Sequence, residues 1–382
     1  MWTVKLFSAD QLPSVFHEPF ILNGYRASET SVVECIKSTL QCTNETVNFW
    51  THFVPFLYTV WRIVHLRYYL DFVNDPFTWP LLGLLICISL CLSASCFAHL
   101  FNCLSERACH ICYFFDYSSL GIYSLASCIA YRYYVFPHCL MNTEYFNIYI
   151  PIGALNAILW CTFGACWSRF MNMGLFRHLF RLSVLIVPYV FCSLPLLYRV
   201  FVCPDKECEA ASVTVHRQHF VAAFCSAFIF ATHLPERLAP GKFDVFLHSH
   251  QLFHVITATG TILQVNSVII DMNDRRAFLE SEIGLPTYWY SLGLITVVFS
   301  LQMLLILCFS VWVYSRPEES KHIYPKSQNT NNDNLEPCAE TIKHKLKSGS
   351  SSKSNVSQEH IKFINKCSAE RNLEIMTKIK KQ

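Results

Sequence analysis

Charged side chains are scarce in this sequence. Only 15% of its 382 residues are Asp, Glu, Lys or Arg, whereas 53% are hydrophobic. A soluble domain carries about 25% charged residues, so this composition excludes an ordinary soluble globular protein and indicates a membrane protein. The net charge of +3 says little about partners by itself, and we expect no nucleic-acid partner.

An apolar leader is missing from the start of the sequence. Residues 1–45 mix polar and charged side chains and contain no continuous apolar stretch, so we expect no signal peptide. We interpret residues 1–45 as a cytosolic N-terminal segment that precedes the membrane domain.

Long stretches without Asp, Glu, Lys or Arg organise the rest of the sequence. A helix that spans a membrane needs about 20 mostly apolar residues, and flanking polar residues can extend a shorter stretch. The sequence therefore predicts an all-α integral membrane protein with eight transmembrane helices within residues 46–314, a seven-helix core plus one C-terminal span. The predicted spans are residues 47–67, 79–101, 113–134, 146–168, 180–201, 217–234, 249–270 and 288–314, of which the first, third and sixth are the weakest.

The basic residues of the tail decide the predicted orientation. Residues 316–382 contain 13 of the 30 Lys and Arg but only 8 of the 27 Asp and Glu. With an even number of spans, this tail lies on the same side as the N-terminus, and the positive-inside rule favours the cytosol for both. Because residues 315–382 are rich in Lys, Ser, Asn and Gln, we expect them to be a disordered cytosolic tail.

The 19 cysteines do not form a zinc-ribbon pattern. Cys109 and Cys112 have the spacing of a metal or redox pair, but no second pair accompanies them, so a structural role is favoured. Many other cysteines, including Cys128 and Cys192, lie within apolar stretches. Buried cysteine behaves as a small hydrophobe, and we expect these thiols to stay reduced.

The heptad from His248 to His254 carries the strongest chemical signal. His250 and His254 are four residues apart, so on a helix they lie on one face, about 6 Å apart along the axis. Two neutral imidazoles at this spacing are typical of zinc sites. His248 lies off that face and is expected at the membrane interface. A catalytic zinc usually needs three protein ligands, so a further ligand must come from elsewhere.

Helix direction indicates where the further ligands are. The ends of even-numbered spans and the starts of odd-numbered spans lie at one face of the membrane. His99 ends the second span and Asp116 begins the third, so both share a face with His250 and His254. Other polar residues expected at this face are Glu45, Asn48, His52 and His233.

These residues predict an open zinc site inside the membrane. Three imidazoles, from His99, His250 and His254, would hold Zn²⁺, and Asp116 would hold the metal's water or act as a general base. Ser95, one turn before His99, would orient a ligand ring through a hydrogen bond. The alternative is that each histidine satisfies a local carbonyl group or lies at the wet interface. His52 and His110 are interpreted as interfacial or structural.

Four blocks of sequence resemble the progestin and adipoQ receptor family over roughly residues 16–275. The first resembles the family's NET-N-WTH element, the second its S-x-x-x-H element, and the third the loop between spans six and seven in the progestin-receptor branch. The blocks are Thr43–His52, Ser95–His99 with His110–Tyr117, His233–Asp244, and Ser249–His254. An eighth span also fits that branch, and within the branch the gamma type resembles the sequence most.

The resemblance implies a plasma-membrane receptor for a progesterone-like steroid, with its N-terminus in the cytosol and inhibitory G proteins as its signalling partners. In the related adiponectin-receptor architecture, the counterparts of His99, His250 and His254 hold zinc, and the counterpart of Asp116 contacts the metal's water. The matching residues, including Ser95, are all present in this sequence.

Two functions remain open from the sequence, and they are compatible. A steroid receptor would use an apolar pocket with a few polar anchors. A ceramidase-like hydrolase would use an open zinc to polarise the amide of a membrane lipid, with Asp116 as the general base. A channel or transporter is disfavoured, because the ionisable residues are expected at one face and none marks the middle of the bundle.

Overall fold

The computed structural model describes residues 4–172, 174–203 and 210–316. Residues 317–382 of the expected tail lie outside this part of the chain, so the prediction of disorder there stays a prediction.

Helices account for most of the described residues. A short antiparallel pair of strands, β1 (Leu6–Phe7) and β2 (Tyr25–Arg26), precedes them. The helices are α1 (Val32–Ser38), α2 (Thr46–Leu66), α3 (Trp79–Phe101), α4 (Glu106–Ala130), α5 (His138–Met141), α6 (Glu144–Leu155), α7 (Ala165–Ser168), α8 (Leu175–Phe201), α9 (Ala211–Thr232), α10 (Ser249–Asp274), α11 (Arg276–Ile283) and α12 (Leu292–Ser315). Two π-helical segments, Tyr131–Val135 and Asn156–Gly164, continue α4 and join α6 to α7.

Five helical stretches in the described chain are long and apolar enough to cross a membrane. They are Pro76–Phe101, Glu144–Ser168, Leu175–Phe201, Ser249–Asp274 and Leu292–Ser315. This confirms the prediction of an all-α integral membrane protein. The other three predicted spans, the three weakest, coincide with α2, α4 and α9, which form long but less apolar helices. The count of eight spans and the orientation of the termini therefore stay predictions.

The N-terminal segment packs against the end of α3 that carries His99. The guanidinium of Arg26 is buried there and donates to the carbonyl oxygens of His99 and Leu100, at 2.6 and 2.7 Å, and to Oδ1 of Asn102 at 2.7 Å. These carbonyl groups belong to the last turn of α3, whose oxygens have no partner within the helix. Arg26 therefore caps α3 and fixes the backbone position of His99.

Close packing ties α12 to the inner helices. A Cβ atom at Gly121 of α4 would lie 2.7 Å from Nε2 of Gln302 and 2.8 Å from the carbonyl oxygen of Ala157. Glycine thus allows Gln302 to reach the backbone of α4, where its Nε2 donates to the carbonyl oxygen of Ser118 at 3.1 Å. The last helix is part of the bundle through a buried polar contact.

A disulfide bond joins α4 to α8 through Cys128 and Cys192. The expectation that these two thiols stay reduced was therefore wrong. The apolar surroundings of each cysteine gave no sign of the pairing, because 64 residues separate them.

A second charged cluster lies at the end of the bundle opposite the histidines. The carboxylate of Asp271 accepts from Arg199 and from His216, both at 2.9 Å, and from Ser212 at 2.6 Å. Asp271 and Arg199 are each 1% exposed. The expectation that buried ionisable residues collect only at the histidine end was wrong, because these charges satisfy one another between α8, α9 and α10.

Candidate metal centre

The start of α10 is fixed by a carboxylate from the preceding loop. Buried Glu236 accepts from the backbone N–H of Ser249 at 2.7 Å and also from the Ser249 hydroxyl. The first N–H groups of a helix have no partner within it and favour a negative charge. Glu236 supplies both the missing hydrogen-bond acceptor and the negative charge. It therefore fixes the start of α10, and His250 and His254 lie in the first two turns of that helix.

Three histidines meet where α10 begins and α3 ends. One ring nitrogen from each of His99, His250 and His254 lies within 4.8 Å of the others. The Nε2 atoms of His99 and His250 are 3.3 Å apart. Two nitrogens that each lie about 2.0–2.1 Å from a tetrahedral zinc are about 3.3 Å from one another, so this pair already has the spacing of two zinc ligands. The predicted group of three is brought together.

Glu45 sets the protonation of the His99 ring. Its Oε2 accepts a hydrogen bond from Nδ1 of His99 at 2.7 Å, so the lone pair of the ring is on Nε2, which faces His250. Glu45 also accepts from Asn48 at 2.8 Å and from Asn102 at 2.7 Å. Burial by itself raises the pKa of Glu45, but the hydrogen bonds from His99 and Asn48 and the charge of Arg26 hold that pKa well below its usual range.

The first turns of α2 orient the ring of His254 in the same way. The Nδ1 atom of His254 lies 3.2 Å from the carbonyl oxygen of Asn48 and 3.1 Å from the hydroxyl of Thr51. The carbonyl can only accept, so Nδ1 carries the proton and the Nε2 lone pair is free for a metal ion. Two of the three rings are thus presented as neutral donors by hydrogen bonds to the opposite nitrogen.

Asp116 and Ser95 lie near this group without a bond to it. The half-buried Asp116 is close enough for its charge to act on His99, but it is not part of the group of three. Among the described residues, its carboxylate and the buried Ser95 hydroxyl make no hydrogen bond with another protein group. Their predicted roles toward the metal's water and the ligands stay predictions.

His52 of α2 packs against the histidine group through its ring. Its ring stacks on His254, with centroids 3.7 Å apart and planes at 9°. Both of its ring nitrogens are buried and have no hydrogen-bond partner in the described chain, and the same is true of Oδ1 of Asn44 and Asn48. These three residues are spaced four apart, so the face of α2 beside the histidines has unused hydrogen-bonding capacity.

His248 lies outside the group, as predicted, and is buried. It is 4% exposed, and its Nε2 lies 3.2 Å from the carbonyl oxygen of Asn44. The segment before α2 therefore covers this end of α10, and the interfacial position of His248 stays a prediction.

The supporting roles of Glu45 and Thr51 were missed by sequence reasoning. Both lie at the start of α2, and Glu45 was expected near His99 but without a function. A buried carboxylate at the start of an apolar helix needs a partner, and a histidine predicted at the same level is the natural one. That signal could have identified Glu45.

The donor set fits a divalent metal ion. Three imidazoles held in a buried place, with two of their Nδ1 atoms already engaged, match the ligands that zinc prefers at sites with an open position. His99 and His254 are each 2% exposed, whereas His250 is half-buried.

Known proteins are similar to this chain over most of its length. Residues 40–265 match the family model described as haemolysin-III related. The chain is 40% identical over 324 residues to the human membrane progestin receptor gamma, which covers 83% of this chain and 97% of that protein. It is 39% identical over 327 residues to the zebrafish membrane progestin receptor gamma-B, covering 80% and 93%, and 42% identical over 284 residues to the human membrane progestin receptor delta, covering 73% and 82%.

Proposed function

Because the chain belongs to the haemolysin-III related family, which confirms the resemblance to the progestin and adipoQ receptors, we propose that it is a receptor for a progesterone-like steroid. The observation that carries this proposal is the identity of 40% with the human membrane progestin receptor gamma over 97% of that protein. The similarity extends over 83% of this chain.

The proposed receptor lies in the plasma membrane with both termini in the cytosol and signals through G proteins of the inhibitory type. The basic tail supports the orientation by the positive-inside rule. A steroid is a rigid apolar body with polar ends, so it would enter from the surrounding lipid and bind between the helices.

We propose Zn²⁺ as the ion of the histidine group. His99, His250 and His254 would hold it. The Nδ1 atom of His99 donates to Glu45 and that of His254 to the carbonyl oxygen of Asn48, which keeps these two rings in the ligand form. When bound, zinc would act as a Lewis acid and would lower the pKa of a coordinated water. Within this chain, Asp116 would orient that water, and Ser95 would contribute a hydroxyl from the preceding turn of α3.

Direct binding of labelled progesterone to the purified full chain in lipid nanodiscs tests the receptor. We expect saturable binding that unlabelled progesterone displaces and that cholesterol does not. Absence of saturable binding would contradict the proposal. His250→Ala separates the metal from the ligand: if this variant loses zinc but binds progesterone with unchanged affinity, the metal lies outside the steroid site.

The second candidate is a hydrolase that cleaves the amide bond of ceramide. The half-buried carboxylate of Asp116, without a bond in the described chain and close to an open group of histidines, favours it. Asp116 would take the proton of the attacking water, and the products would be a fatty acid and a sphingoid base. Purified zinc-loaded protein should then release fatty acid from ceramide, and Asp116→Asn should not. No release from the wild-type chain, with or without progesterone, would exclude this activity.

A further inference from the structure

Five arginines from different parts of the bundle converge at the end that carries the histidines. We call them, with His110 of α4, the basic cluster. The arginines are Arg107 of α4, Arg169 after α7, Arg177 and Arg181 of α8, and Arg316 after α12. Four of them, all except Arg107, lie close enough to His110 for their charges to act on its ring. Their convergence concentrates positive charge beside the first turns of α4.

Neutral groups hold the two inner arginines in place. Nε of Arg169 donates to Nδ1 of His110 at 3.1 Å, and its guanidinium lies 4.5 Å from the centre of the Tyr113 ring. Nε of Arg181 contacts the hydroxyl of Ser168 at 3.4 Å. An imidazole, an aromatic face and a hydroxyl orient these side chains but do not neutralise their charge.

The outer arginine sits on an aromatic wall. The guanidinium of Arg316 lies 3.7 Å from the ring centre of Trp312 and 5.1 Å from that of Phe170, which itself stacks on His110 at 5.2 Å. The backbone oxygen of Arg316 accepts from Arg107 at 3.2 Å. The cluster is therefore one continuous set of contacts across α4, α8 and α12, with an apolar aromatic side.

The inner arginines have no counter-ion in the described chain. Neither Arg169 nor Arg181 has a carboxylate within 4 Å, and Nη2 of Arg181 is buried without a hydrogen-bond partner. The negative charge of Glu18 acts on both arginines, but Glu18 forms no ion pair with either of them. A buried guanidinium N–H without a partner costs free energy, and neighbouring like charges add to it, so an external anion would be stabilised here.

The fork of a guanidinium matches a phosphate, and basic pockets between transmembrane helices are typical binding places for lipid headgroups. We propose that the basic cluster binds the phosphate headgroup of an anionic membrane lipid, with Arg169 and Arg181 contacting the phosphate and Trp312 lying beside the glycerol and acyl region. The positive-inside rule is an alternative explanation for the basic residues at this end, and it accounts for the charges in the loops. It does not account for a buried, unpaired nitrogen on Arg181. This site is separate from the histidine group and does not depend on the proposed steroid.

Short-chain lipids added to the purified full chain in phosphatidylcholine nanodiscs test the site. Dioctanoyl phosphatidic acid is the probe, dioctanoyl phosphatidylcholine the zwitterionic control, and inorganic phosphate the free anion. We expect phosphatidic acid alone to bind saturably and to raise the Tm. A basic residue near a membrane surface contributes about a factor of five to binding an anionic lipid, so Arg169→Gln with Arg181→Gln should weaken Kd about 20-fold or more.

Arg237→Gln is the matched control, because this exposed arginine lies at the same end of the bundle, in the loop between α9 and α10. We expect it to change Kd less than two-fold. An equal loss in Arg237→Gln and in the double variant would overturn the proposal, since only the overall field would then matter. Inorganic phosphate that binds as tightly as phosphatidic acid would overturn the lipid as the ligand. If the double variant does not fold, Arg181→Lys serves instead: it keeps the charge, loses the fork, and should still weaken binding several-fold.

Discussion

Glu45 and His99 share a hydrogen bond of 2.7 Å at the junction of the N-terminal segment and α3, where both side chains are less than 10% exposed. The bond places the proton of His99 on Nδ1 and leaves Nε2 for a metal ion. Every further ligand position depends on this orientation, because His250 approaches His99 through that same Nε2 atom.

Replacing Glu45 with Gln should weaken zinc binding by about 10–100-fold, because an amide can bond the ring but does not raise the basicity of Nε2 as a carboxylate does. Competition with a fluorescent chelator measures the affinity, and circular dichroism checks the helix content. Glu280→Gln, at the opposite end of the bundle, should leave the affinity unchanged. Equal affinity in both variants would show that Glu45 does not support the ligand.

Removal of the metal should lower the stability of the wild-type chain. A ligand present at 100 times its Kd stabilises the folded state by about 2.7 kcal/mol, so a strong zinc chelator should lower the Tm by several degrees. The same chelator should have no effect on His254→Ala, which already lacks one of the three imidazoles. A drop of equal size in that variant would indicate metal binding elsewhere in the chain.

His52 should tolerate an apolar ring. Its two nitrogens have no partner among the described residues, whereas its ring stacks on His254 at 3.7 Å. His52→Phe should therefore keep both the Tm and zinc binding, and His52→Ala should destabilise the protein by about 2–5 kcal/mol through the lost packing. Loss of zinc in His52→Phe with an unchanged helix content would instead show that a ring nitrogen bonds a group at the site.

Asp271→Asn should be strongly destabilising. It removes the negative charge that lies 2.9 Å from the guanidinium of Arg199, 1% exposed, and breaking a buried pair of this kind costs about 3–5 kcal/mol. The comparison is Arg276→Gln, which removes a half-exposed ion pair with Asp75 and should cost less than about 1 kcal/mol. Urea or thermal unfolding in detergent measures both, and similar Tm values would contradict the structural role of Asp271.

Gly121→Ala should loosen the packing of α4 against the segment Asn156–Gly164 and against Gln302 of α12. The added Cβ would lie 2.7 Å from Gln302 and 2.8 Å from a backbone oxygen, too close for either without movement. At Gly164 the nearest atoms are 3.5 Å away, so Gly164→Ala should be nearly neutral or slightly stabilising. The Tm and the protease sensitivity of the loop before α12 measure the effect. A neutral Gly121→Ala would mean that α12 is held loosely.

The sequence was sufficient for the helices and for the three histidines. A spacing of four residues predicted that His250 and His254 share one helix face, and the alternating direction of the helices predicted His99 at the same end. Both rules depend only on local helix geometry and on the presence of a membrane. The haemolysin-III related match confirms the family to which those residues pointed.

The supporting contacts could not be predicted in the same way. Arg26 reaches the end of α3 from the N-terminal segment, and Asp271, Arg199 and His216 meet from three different helices. Such contacts depend on which side chains face one another after packing, and neither periodicity nor composition contains that information. The pairing of Cys128 with Cys192 is unpredictable for the same reason.

That disulfide bears on how the protein is made. Cys128 lies near the end of α4 that is remote from the histidines, and thiols pair where oxidising enzymes have access during biogenesis, in the lumen of the secretory pathway. A bond formed there between α4 and α8 would show which ends of these helices were translocated toward the lumen. It favours a histidine end that stays on the reducing side, and Cys192→Ser should therefore slow maturation in the secretory pathway without changing zinc content.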